Sequence, residues 1–378
     1  MNRRTLLQGA AATSALGMLG MRRPQKSAAA RRVRLIQQEL PRYEIVSIFV
    51  SDELVFSNGQ NWRGTTRDIN NAGTILGDTV SGGVMIPTVW DASLAMSLLD
   101  PGPYTGLNIN AFLLDDIGTV VGYGFETEGF ITEEQSQGVQ LEIPTIVWEN
   151  GVVNAQLSGP WGLGSGITSL TNDGDLLGTL DDVPAFWVDG VPERLEMPVG
   201  FGYGGYRSAN SLGDRAGTLY RTQEPFSGGV PFVRSASGEV TVLDPPQGNG
   251  MDWLGRVQAF SLGDDGSIAA LVRGETDLFG YAVRYRNGIQ TPIADLNGEG
   301  MYFSGANSQG VLVGQSLLNG ISIPTMWIAD QPIVIADLIV PGPDLLFLDV
   351  SAINDSGTMV GSAQDSAGMY HHVVLRPV

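Results

Sequence analysis

Near its C-terminus the chain reads Ser351-Ala-Ile-Asn-Asp-Ser-Gly-Thr-Met-Val-Gly361. In this segment two short apolar runs flank a polar Asn-Asp-Ser-Gly turn. Gly357 allows the positive φ that a tight turn needs, and the side chains of Asn354 and Asp355 are of types that hydrogen-bond to nearby backbone groups. The segment therefore predicts a β-hairpin with one strand on each side of the turn.

The same turn motif occurs seven times along the chain, at intervals of 43 to 56 residues. Its turn glycines are Gly73, Gly118, Gly174, Gly217, Gly266, Gly310 and Gly357. A second glycine follows four residues later in five copies, whereas Arg221 and Ala270 occupy that position in the other two. Because a glycine inside a strand often marks the close approach of another backbone, we expect strands to crowd together at this second position.

A motif that runs from a proline to a tryptophan is the second landmark of the repeat. It is clearest in Pro87-Thr-Val-Trp90, Pro184-Ala-Phe-Trp187 and Pro324-Thr-Met-Trp327, and one residue longer in Pro144-Thr-Ile-Val-Trp148. A short polar turn and a further apolar strand follow, so each repeat holds four short strands joined by hairpins. Since large aromatic side chains dominate protein cores, we expect these tryptophans between neighbouring repeats and not around a ligand.

Four strands in about 45–50 residues, repeated seven times, are typical of the blades of a β-propeller, whereas one coil of a β-helix is shorter. The sequence therefore predicts an all-β fold, a seven-bladed β-propeller of four-stranded antiparallel blades. The last repeat ends at Val378, just after its third strand. We expect residues 44–56 to supply the missing fourth strand, which would close the ring and remove both open edges.

The N-terminus has the pattern of an export signal. Arg3 and Arg4 precede an apolar stretch of small residues at 9–20, and residues 28–30 provide an Ala-x-Ala cleavage site. This arrangement resembles a bacterial twin-arginine signal, and the apolar run is shorter than the roughly 20 residues of a membrane-spanning helix. We predict an export signal at 1–30, a linker at 31–42 and one propeller domain at 43–378. The mature protein is then expected to be soluble, in the periplasm or secreted.

The charge balance limits the possible partners. The 378 residues include 40 acidic and 21 basic side chains, for a net charge of -19. Five of the basic residues lie in the first thirty positions, so the remainder carries 16 − 40 = −24. Phosphate backbones and anionic lipids would repel such a body, and we expect no nucleic-acid or membrane-surface binding. The absence of cysteine from the sequence excludes disulfides and thiolate chemistry.

The sequence shows no catalytic or metal-binding motif. His371 and His372, the two histidines, are neighbours on a predicted strand and would point to opposite faces, which disfavours a shared site. Acidic pairs such as Asp115-Asp116 and Asp264-Asp265 fall in the hairpin turns, where Asp is favoured for backbone reasons, and none has the spacing of a calcium loop. We expect no cofactor, no metal and no catalytic residue; a calcium-stabilised array is an alternative.

Candidate ligand-binding residues are the aromatic and acidic side chains where repeats carry extra residues, since binding sites usually lie on loops of a rigid scaffold. They are Trp161, Phe201, Tyr203, Tyr206, Glu133 and Glu134. The glycine-rich stretch 200–205 lacks the lysine of a phosphate loop and a following helical pattern, so we interpret it as a loop. Aromatic side chains there would stack on sugar or hold peptide; packing against their own blades is the alternative.

The turn and proline motifs over residues 67–378 together resemble the bacterial HAF-repeat family of extracellular repeat proteins. The fullest copies are Ile353-Asn-Asp-Ser-Gly-Thr-Met-Val-Gly361 and Ile69-Asn-Asn-Ala-Gly-Thr-Ile-Leu-Gly77. The resemblance implies an exported, propeller-like repeat protein and no particular activity. We expect a monomeric, non-catalytic binding or scaffold module for cell-surface glycan or an extracytoplasmic protein. The alternative is a secreted carbohydrate-active enzyme that uses loop Asp and Glu residues around the channel, since two suitably placed carboxyl groups can cleave a glycosidic bond.

Overall fold

The computed structural model describes residues 40–50, 53–55, 61–63, 65–81, 84–105, 107–125, 144–154, 159–160, 166–171, 174–188, 190–221, 229–246, 256–274 and 279–378. These residues form seven antiparallel blades of four main strands each, arranged as a β-propeller, so the predicted fold class is confirmed. Short 3-10 helices lie at Gly102–Tyr104 and Ile335–Asp337. Within the described ranges no helix is long and apolar enough to cross a membrane.

The strands are numbered in chain order. Before the first blade come β1 (Tyr43–Val50), β2 (Glu53–Val55) and β3 (Asn61–Arg63), of which β2 and β3 form a separate hairpin. Blade 1 contains β4 (Thr66–Ile69), β5 (Ile75–Ser81), β6 (Val84–Trp90) and β7 (Met96–Leu98). Blade 2 contains β8 (Asn108–Leu114), β9 (Val120–Phe125), β10 (Pro144–Glu149) and β11 (Val152–Val153), and β12 (Gly159–Pro160) also pairs with β10. Blade 3 contains β13 (Gly166–Leu170), β14 (Leu176–Leu180), β15 (Val183–Val188) and β16 (Val191–Arg194).

The second half of the ring repeats this arrangement. Blade 4 contains β17 (Phe201–Ala209), β18 (Arg215–Arg221), β19 (Val230–Arg234) and β20 (Val240–Val242). Blade 5 contains β21 (Arg256–Leu262), β22 (Ile268–Arg273), β23 (Tyr281–Arg286) and β24 (Ile289–Ile293). Blade 6 contains β25 (Met301–Ala306), β26 (Leu312–Leu318), β27 (Ile321–Ile328) and β28 (Gln331–Val334). Blade 7 contains β29 (Leu345–Ile353), β30 (Met359–Asp365) and β31 (Tyr370–Pro377).

The N-terminal strand completes blade 7. Strand β1 pairs with β31 in antiparallel register, from Tyr43↔Pro377 to Val50↔His371. The Tyr43 N–H also donates to the Leu338 carbonyl at 3.0 Å, which ties the strand to the segment that leaves blade 6. The predicted closure of the ring by an N-terminal strand is confirmed, with the closing strand at 43–50.

The apolar core consists of clusters that each join two neighbouring blades. Trp90 of blade 1 packs with Val360 of blade 7, and Trp148 of blade 2 packs with Leu76 of blade 1. The buried indole N–H of Trp148 is satisfied by the Asp100 carbonyl at 2.8 Å. The four tryptophans of the proline motif are at most 3% exposed: Trp90, Trp148, Trp187 and Trp327. Their predicted place between blades is confirmed, and none is available to a ligand.

The second glycine of the repeat lies where the second strand of a blade passes close to the first. A Cβ at Gly314 would lie 2.0 Å from the Tyr302 carbonyl oxygen, and one at Gly361 would lie 2.1 Å from the Asp349 carbonyl oxygen. No side chain fits in that space, so glycine is required by the approach of the two backbones. The predicted crowding at this position is confirmed.

In blade 4 the turn lies four residues earlier than the sequence suggested. Gly213, with φ of 83°, is the turn glycine, and the Asn210 N–H donates to the Asp214 carbonyl across the turn at 3.1 Å. Gly217 instead occupies the second position, where a Cβ would lie 2.1 Å from the Gly205 carbonyl oxygen. The assignment of Gly217 as the turn glycine was wrong because Gly213 and Gly217 have the same spacing as the two glycines of the motif.

Each blade has a β-bulge in its innermost strand, three residues before the turn. The register shifts by one residue there, so one side chain of the first strand is left without a direct partner on the second. The seven bulged residues are Arg67, Phe112, Thr168, Arg207, Phe260, Ser304 and Ser351. Because a bulge re-aims a side chain, this position is where the repeat can present varied chemistry at the centre of the ring.

Candidate binding site in the propeller channel

The turns between the first and second strands of the blades surround one end of the central channel. A cavity of about 350 Å³ lies inside this ring, and the innermost strands of all seven blades contribute to its lining. Six of the seven bulged residues line it: Arg67, Phe112, Thr168, Arg207, Phe260 and Ser304. The repeat therefore places different side chains of one structural position around a common space.

Neighbouring turns are joined by hydrogen bonds. We call this feature the turn belt and define it as residues 70–73, 115–118, 210–213, 263–266, 307–310 and 354–357. The Asn354 Nδ2 donates to the Asn70 carbonyl at 3.0 Å, and the Asn70 Nδ2 donates to the Asp115 carbonyl at 2.8 Å. The Ser308 N–H donates to the Asp355 carboxylate at 2.8 Å. The belt thus links blade 6 to 7, 7 to 1 and 1 to 2 through the residues that make the turns.

Carboxyl groups of blade 1 lie beside the channel in a poorly hydrated environment. Burial raises the pKa of Asp68 to about 7, although the Leu114 N–H at 3.0 Å and the Ile69 N–H at 2.8 Å both donate to it. Burial also raises the pKa of Asp78 to about 6, and the Arg67 guanidinium, whose Nε lies 3.3 Å from Asp78 Oδ2, limits that rise. Asp68 lines the cavity, so a carboxyl group with a raised pKa borders the channel.

A second cavity, of about 310 Å³, adjoins the channel at blades 3, 4 and 5. Thr168, Arg207 and Gln258 line both cavities, which therefore meet at these residues. The second cavity lies towards the end opposite the turn belt, because its lining comes from the beginnings of β17 and β21 and the ends of β18 and β22. We call it the tyrosine–arginine pocket, after Tyr203, Tyr220, Arg207 and Arg273, which line it.

The aromatic part of the tyrosine–arginine pocket is a stacked pair. The rings of Tyr203 and Tyr220 lie 5.1 Å apart between centroids and 8° from parallel. The Tyr220 hydroxyl donates to the Val257 carbonyl of blade 5 at 3.2 Å. This bond fixes the orientation of the stack relative to the neighbouring blade, so part of the pocket wall is an ordered aromatic pair.

Two guanidinium groups face the same pocket. The surrounding channel wall lowers the pKa of Arg207, Tyr220 acts in the opposite direction, and the nearby positive charge of Arg273 lowers it as well. The Arg207 side chain itself is exposed to the channel. In the part of the chain that the structure describes, neither arginine forms an ion pair or a hydrogen bond. Asp182 of blade 3 also lines the pocket, without an ion pair to either arginine among those residues. Two positive charges without partners are thus held near one another.

The candidate ligand-binding residues from the sequence lie in different parts of the structure. Tyr203 lines the pocket, whereas Tyr206 is fully buried between blades 3 and 4, where its ring contacts those of Phe186 and Phe232. Phe201 packs against the same cluster. Trp161, Glu133 and Glu134 lie outside the described residues.

The prediction that the glycine-rich segment 200–205 is a loop was wrong, because most of it belongs to β17. Gly204 and Gly205 occur in this strand because their neighbours come too close for a side chain. A Cβ at Gly204 would lie 2.4 Å from the Thr218 carbonyl oxygen, and one at Gly205 would lie 2.8 Å from Thr179 Cγ2. Close packing, and not flexibility, explains the glycines here.

The acidic turns and the histidines have structural roles. The Asp115 carboxylate accepts the Thr119 N–H of its own turn at 2.6 Å, which confirms the turn interpretation of that pair. His372 is buried, whereas His371 lies on the other face of β31 and contacts Asp365 at 3.1 Å. Within the described ranges, no group of three or more His, Asp or Glu side chains is arranged to hold a metal ion.

Sequence reasoning missed Arg207, Tyr220 and Arg273. The available signal for Arg207 was its position three residues before the turn residue Asn210, which is the bulge position in every blade. Tyr220 and Arg273 offered no local signal, because Tyr220 comes near Arg207 only through the pairing of β17 with β18, and Arg273 only through the packing of blade 5 against blade 4. With Gly217 assigned as the turn glycine of blade 4 in place of Gly213, the bulge position of that blade would also be placed four residues too late.

Comparisons with known proteins support the fold and no more. No protein-family model matches the chain, and no similar sequence was found among curated proteins. A prolyl endopeptidase structure is similar over 97% of this chain with 14% identity and a TM-score of 0.53; this chain spans 51% of that protein. A streptogramin B lyase structure has 12% identity, covers 89% of this chain and 98% of its own, and has a TM-score of 0.49. The Aleuria aurantia lectin in complex with Fucα1-6GlcNAc has 8% identity, covers 83% and 96%, and has a TM-score of 0.35.

Proposed function

We propose that this protein is an exported binding module that takes a glycan in the tyrosine–arginine pocket. The observation that carries the proposal is the stacked pair Tyr203–Tyr220 beside polar and charged side chains in a concave site of about 310 Å³. Binding sites typically combine such apolar surface with a few polar groups that fix the orientation of the ligand. Aromatic faces suit the apolar faces of sugar rings, while hydroxyl and guanidinium groups can bond the sugar oxygens.

The export signal at 1–30 and a location in the periplasm or outside the cell are part of this proposal. Their support is the paired arginines, the short apolar stretch and the Ala-x-Ala site of the sequence. A partner on the cell surface would be accessible to a protein in that location. Binding to an extracytoplasmic protein is the competing possibility for the same surface.

A carbohydrate-active enzyme is the second candidate, and Asp68 is the observation in its favour. Its pKa of about 7 is that of a carboxyl group able to donate a proton near neutral pH, and it lines the channel. Glycoside cleavage needs a second carboxyl group at a suitable separation. Measurement of reaction products therefore belongs in the same experiment as measurement of binding.

The test is affinity electrophoresis of the mature protein in gels that contain neutral or acidic polysaccharides, with reducing ends measured in parallel. We expect retardation in at least one gel without new reducing ends. The variant Tyr203→Ala should lose the retardation. Tyr123→Ala, which removes a partly exposed tyrosine of blade 2 outside the pocket, should keep it.

The possible results separate the candidates. Migration unchanged by every polysaccharide would contradict the glycan-binding function. If new reducing ends form with the wild type and not with Asp68→Asn, the protein is a carbohydrate-active enzyme and the proposal of a non-catalytic binding module is wrong. Equal loss of binding in Tyr203→Ala and Tyr123→Ala would place the ligand elsewhere on the ring.

A further inference from the structure

We infer that the ligand of the tyrosine–arginine pocket is an acidic glycan, whose carboxylate or sulfate group binds between Arg207 and Arg273. This inference rests on the proposed glycan-binding function and adds the chemical class of the glycan. Arg207 reaches the pocket from the bulge of β17, and Arg273 from the end of β22 in the next blade. An anion held there would lie beside the Tyr203–Tyr220 stack.

The first argument is that both guanidinium groups lack partners among the described residues, while several other arginines of the ring have them. Arg284 of blade 5 contacts Asp330 at 2.5 Å, and Arg234 of blade 4 contacts Glu193 at 2.6 Å. Arg207 is exposed to the channel and Arg273 is half-buried, so both guanidinium groups are accessible to a ligand. Two accessible positive charges that are held near one another repel each other, and an anionic ligand would supply the missing partner.

The second argument is the geometry of the donors. A guanidinium is a planar fork that matches the two oxygens of a carboxylate or sulfate, and such charge-assisted bonds are among the strongest in proteins. The Thr168, Thr218 and Gln258 side chains contribute neutral polar groups to the same lining. The Thr168 hydroxyl donates to the Tyr206 carbonyl at 2.5 Å, and Thr218 Oγ1 accepts the Ala259 N–H at 3.0 Å. The pocket therefore offers charged donors for an acidic substituent and the Gln258 amide for the sugar hydroxyls around it.

The third argument concerns the charge of the whole chain. With a net charge of -19, the protein repels anions at long range. At physiological ionic strength this repulsion is screened beyond about 8 Å, so contacts inside the pocket decide which ligand binds. Asp182 at the pocket lining opposes an anion and favours ligands whose acidic group lies towards the two arginines.

The experiment compares three polymers with one backbone: dextran, carboxymethyl dextran and dextran sulfate. Dissociation constants are measured by affinity electrophoresis for the wild type, Arg207→Gln, Arg273→Gln and Arg376→Gln. The last variant is the matched control, because it removes the same charge from blade 7, where Arg376 donates to the Ala92 carbonyl outside the pocket. Melting temperatures of all variants are recorded to confirm that they fold.

We expect at least one charged dextran to bind tighter than dextran, and binding to weaken about tenfold in each pocket variant, as for the loss of one charge-assisted bond. Arg376→Gln should change binding less than twofold. The pocket variants should melt at the same temperature as the wild type or higher, since an unpaired charge is removed. A preference for carboxymethyl dextran identifies a carboxylate ligand, and a preference for dextran sulfate identifies a sulfated one.

Dextran bound as tightly as both charged polymers would overturn the acidic ligand and leave the glycan-binding function intact. Equal weakening by Arg376→Gln would show a general charge effect and would also overturn it. Retention of poly-glutamate but of no glycan from the wider panel would replace both proposals with an acidic peptide ligand. If Arg207→Gln fails to fold, the dissociation constants of Arg273→Gln alone test the acidic-ligand proposal.

Discussion

The imidazole of His372 lies in an apolar environment where blade 7 meets blade 1. Its ring is 6.2 Å from that of Trp90 and 5.9 Å from that of Phe49, between centroids, and neither ring nitrogen has a hydrogen-bond partner in the described part of the chain. Burial, together with a smaller effect of the neighbouring His371, lowers the pKa of His372 to about 4. His372 therefore packs as a neutral aromatic ring.

This environment predicts a loss of stability in acid. Between pH of about 6.5 and 4 the unfolded chain protonates His372 and the folded protein does not, so the free energy of unfolding falls as the pH falls. The variant His372→Phe should remove this contribution, which reaches about 3 kcal/mol near pH 4 at about 1.4 kcal/mol per pKa unit. Melting temperatures of variant and wild type should diverge progressively below pH 6.5.

His371→Gln is the control for this prediction, because His371 is half-buried on the other face of β31 and contacts Ser47 and Asp365. It should retain most of the acid sensitivity of the wild type, because burial, the larger cause of the low pKa of His372, is unchanged. Asp68 and Asp78, with raised pKa values, favour the folded state in acid, but they are present in all variants and cancel from the comparison. Parallel melting curves for His372→Phe and wild type across this pH range would contradict the assignment.

At the scale of elements, the hairpin turn both reverses the chain and joins the blades. Within its own turn Asn354 Oδ1 accepts the Thr358 N–H at 3.0 Å, and across the blade boundary its Nδ2 donates to the Asn70 carbonyl. In the same way, Asn70 Oδ1 accepts the Thr74 N–H of its own turn, and Asn70 Nδ2 donates to the Asp115 carbonyl of blade 2. One side chain thus satisfies its own turn and one backbone carbonyl of the next blade, which explains why Asn recurs at this position.

We predict that Asn354→Ala lowers the free energy of unfolding by about 2–3 kcal/mol, because two buried backbone groups lose their partners. Denaturant titration followed by tryptophan fluorescence measures this change. Asn297→Ala is the matched control: Asn297 lies in an exposed turn, where its Nδ2 donates to the Glu299 carboxylate and its Oδ1 accepts the solvent-exposed Glu299 N–H at 3.3 Å. The control should change stability by less than about 0.5 kcal/mol. Similar losses in the two variants would show that the turn belt does not stabilise the ring.

At the scale of the molecule, the ring is held closed by β1. Tyr43 and Ile45 of this strand are buried, and β1 pairs with β31 from Tyr43 to Val50 except at the bulged residue Ile48. Without it, blade 7 would have three strands and the edge of β31 would be unpaired. Such an edge is open to solvent and to association with other chains.

Deletion of residues 1–50 is therefore expected to lower the melting temperature by roughly 10 °C or more, since a change of 1 kcal/mol shifts the melting temperature of a large domain by about 2–4 °C. Deletion of residues 1–39 leaves β1 in place and should have little effect. Differential scanning calorimetry measures both. Equal melting temperatures for the two deletions would contradict closure by β1, and aggregation of the longer deletion alone would agree with an exposed edge.

The sequence by itself determined the number of blades, their four-strand composition and the need for a closing strand. These features depend on contacts between near neighbours: a turn glycine, an Asn that bonds its own backbone, and a proline-to-tryptophan strand are recognisable wherever they occur. Repetition then made weak local signals reliable. The buried place of the tryptophans followed for the same reason, since a four-stranded sheet must cover both of its faces.

Only the tertiary structure decided the composition of the candidate site. Arg207 and Arg273 lie far apart in the chain, and they meet because β17 and β21 are adjacent around the channel and the bulge of β17 re-aims Arg207. Gly204 and Gly205 suggested a loop in the sequence, but they lie within β17. They are glycines because β18 and Thr179 of blade 3 come too close for a side chain. Such contacts depend on how blades pack, and no single repeat contains that information.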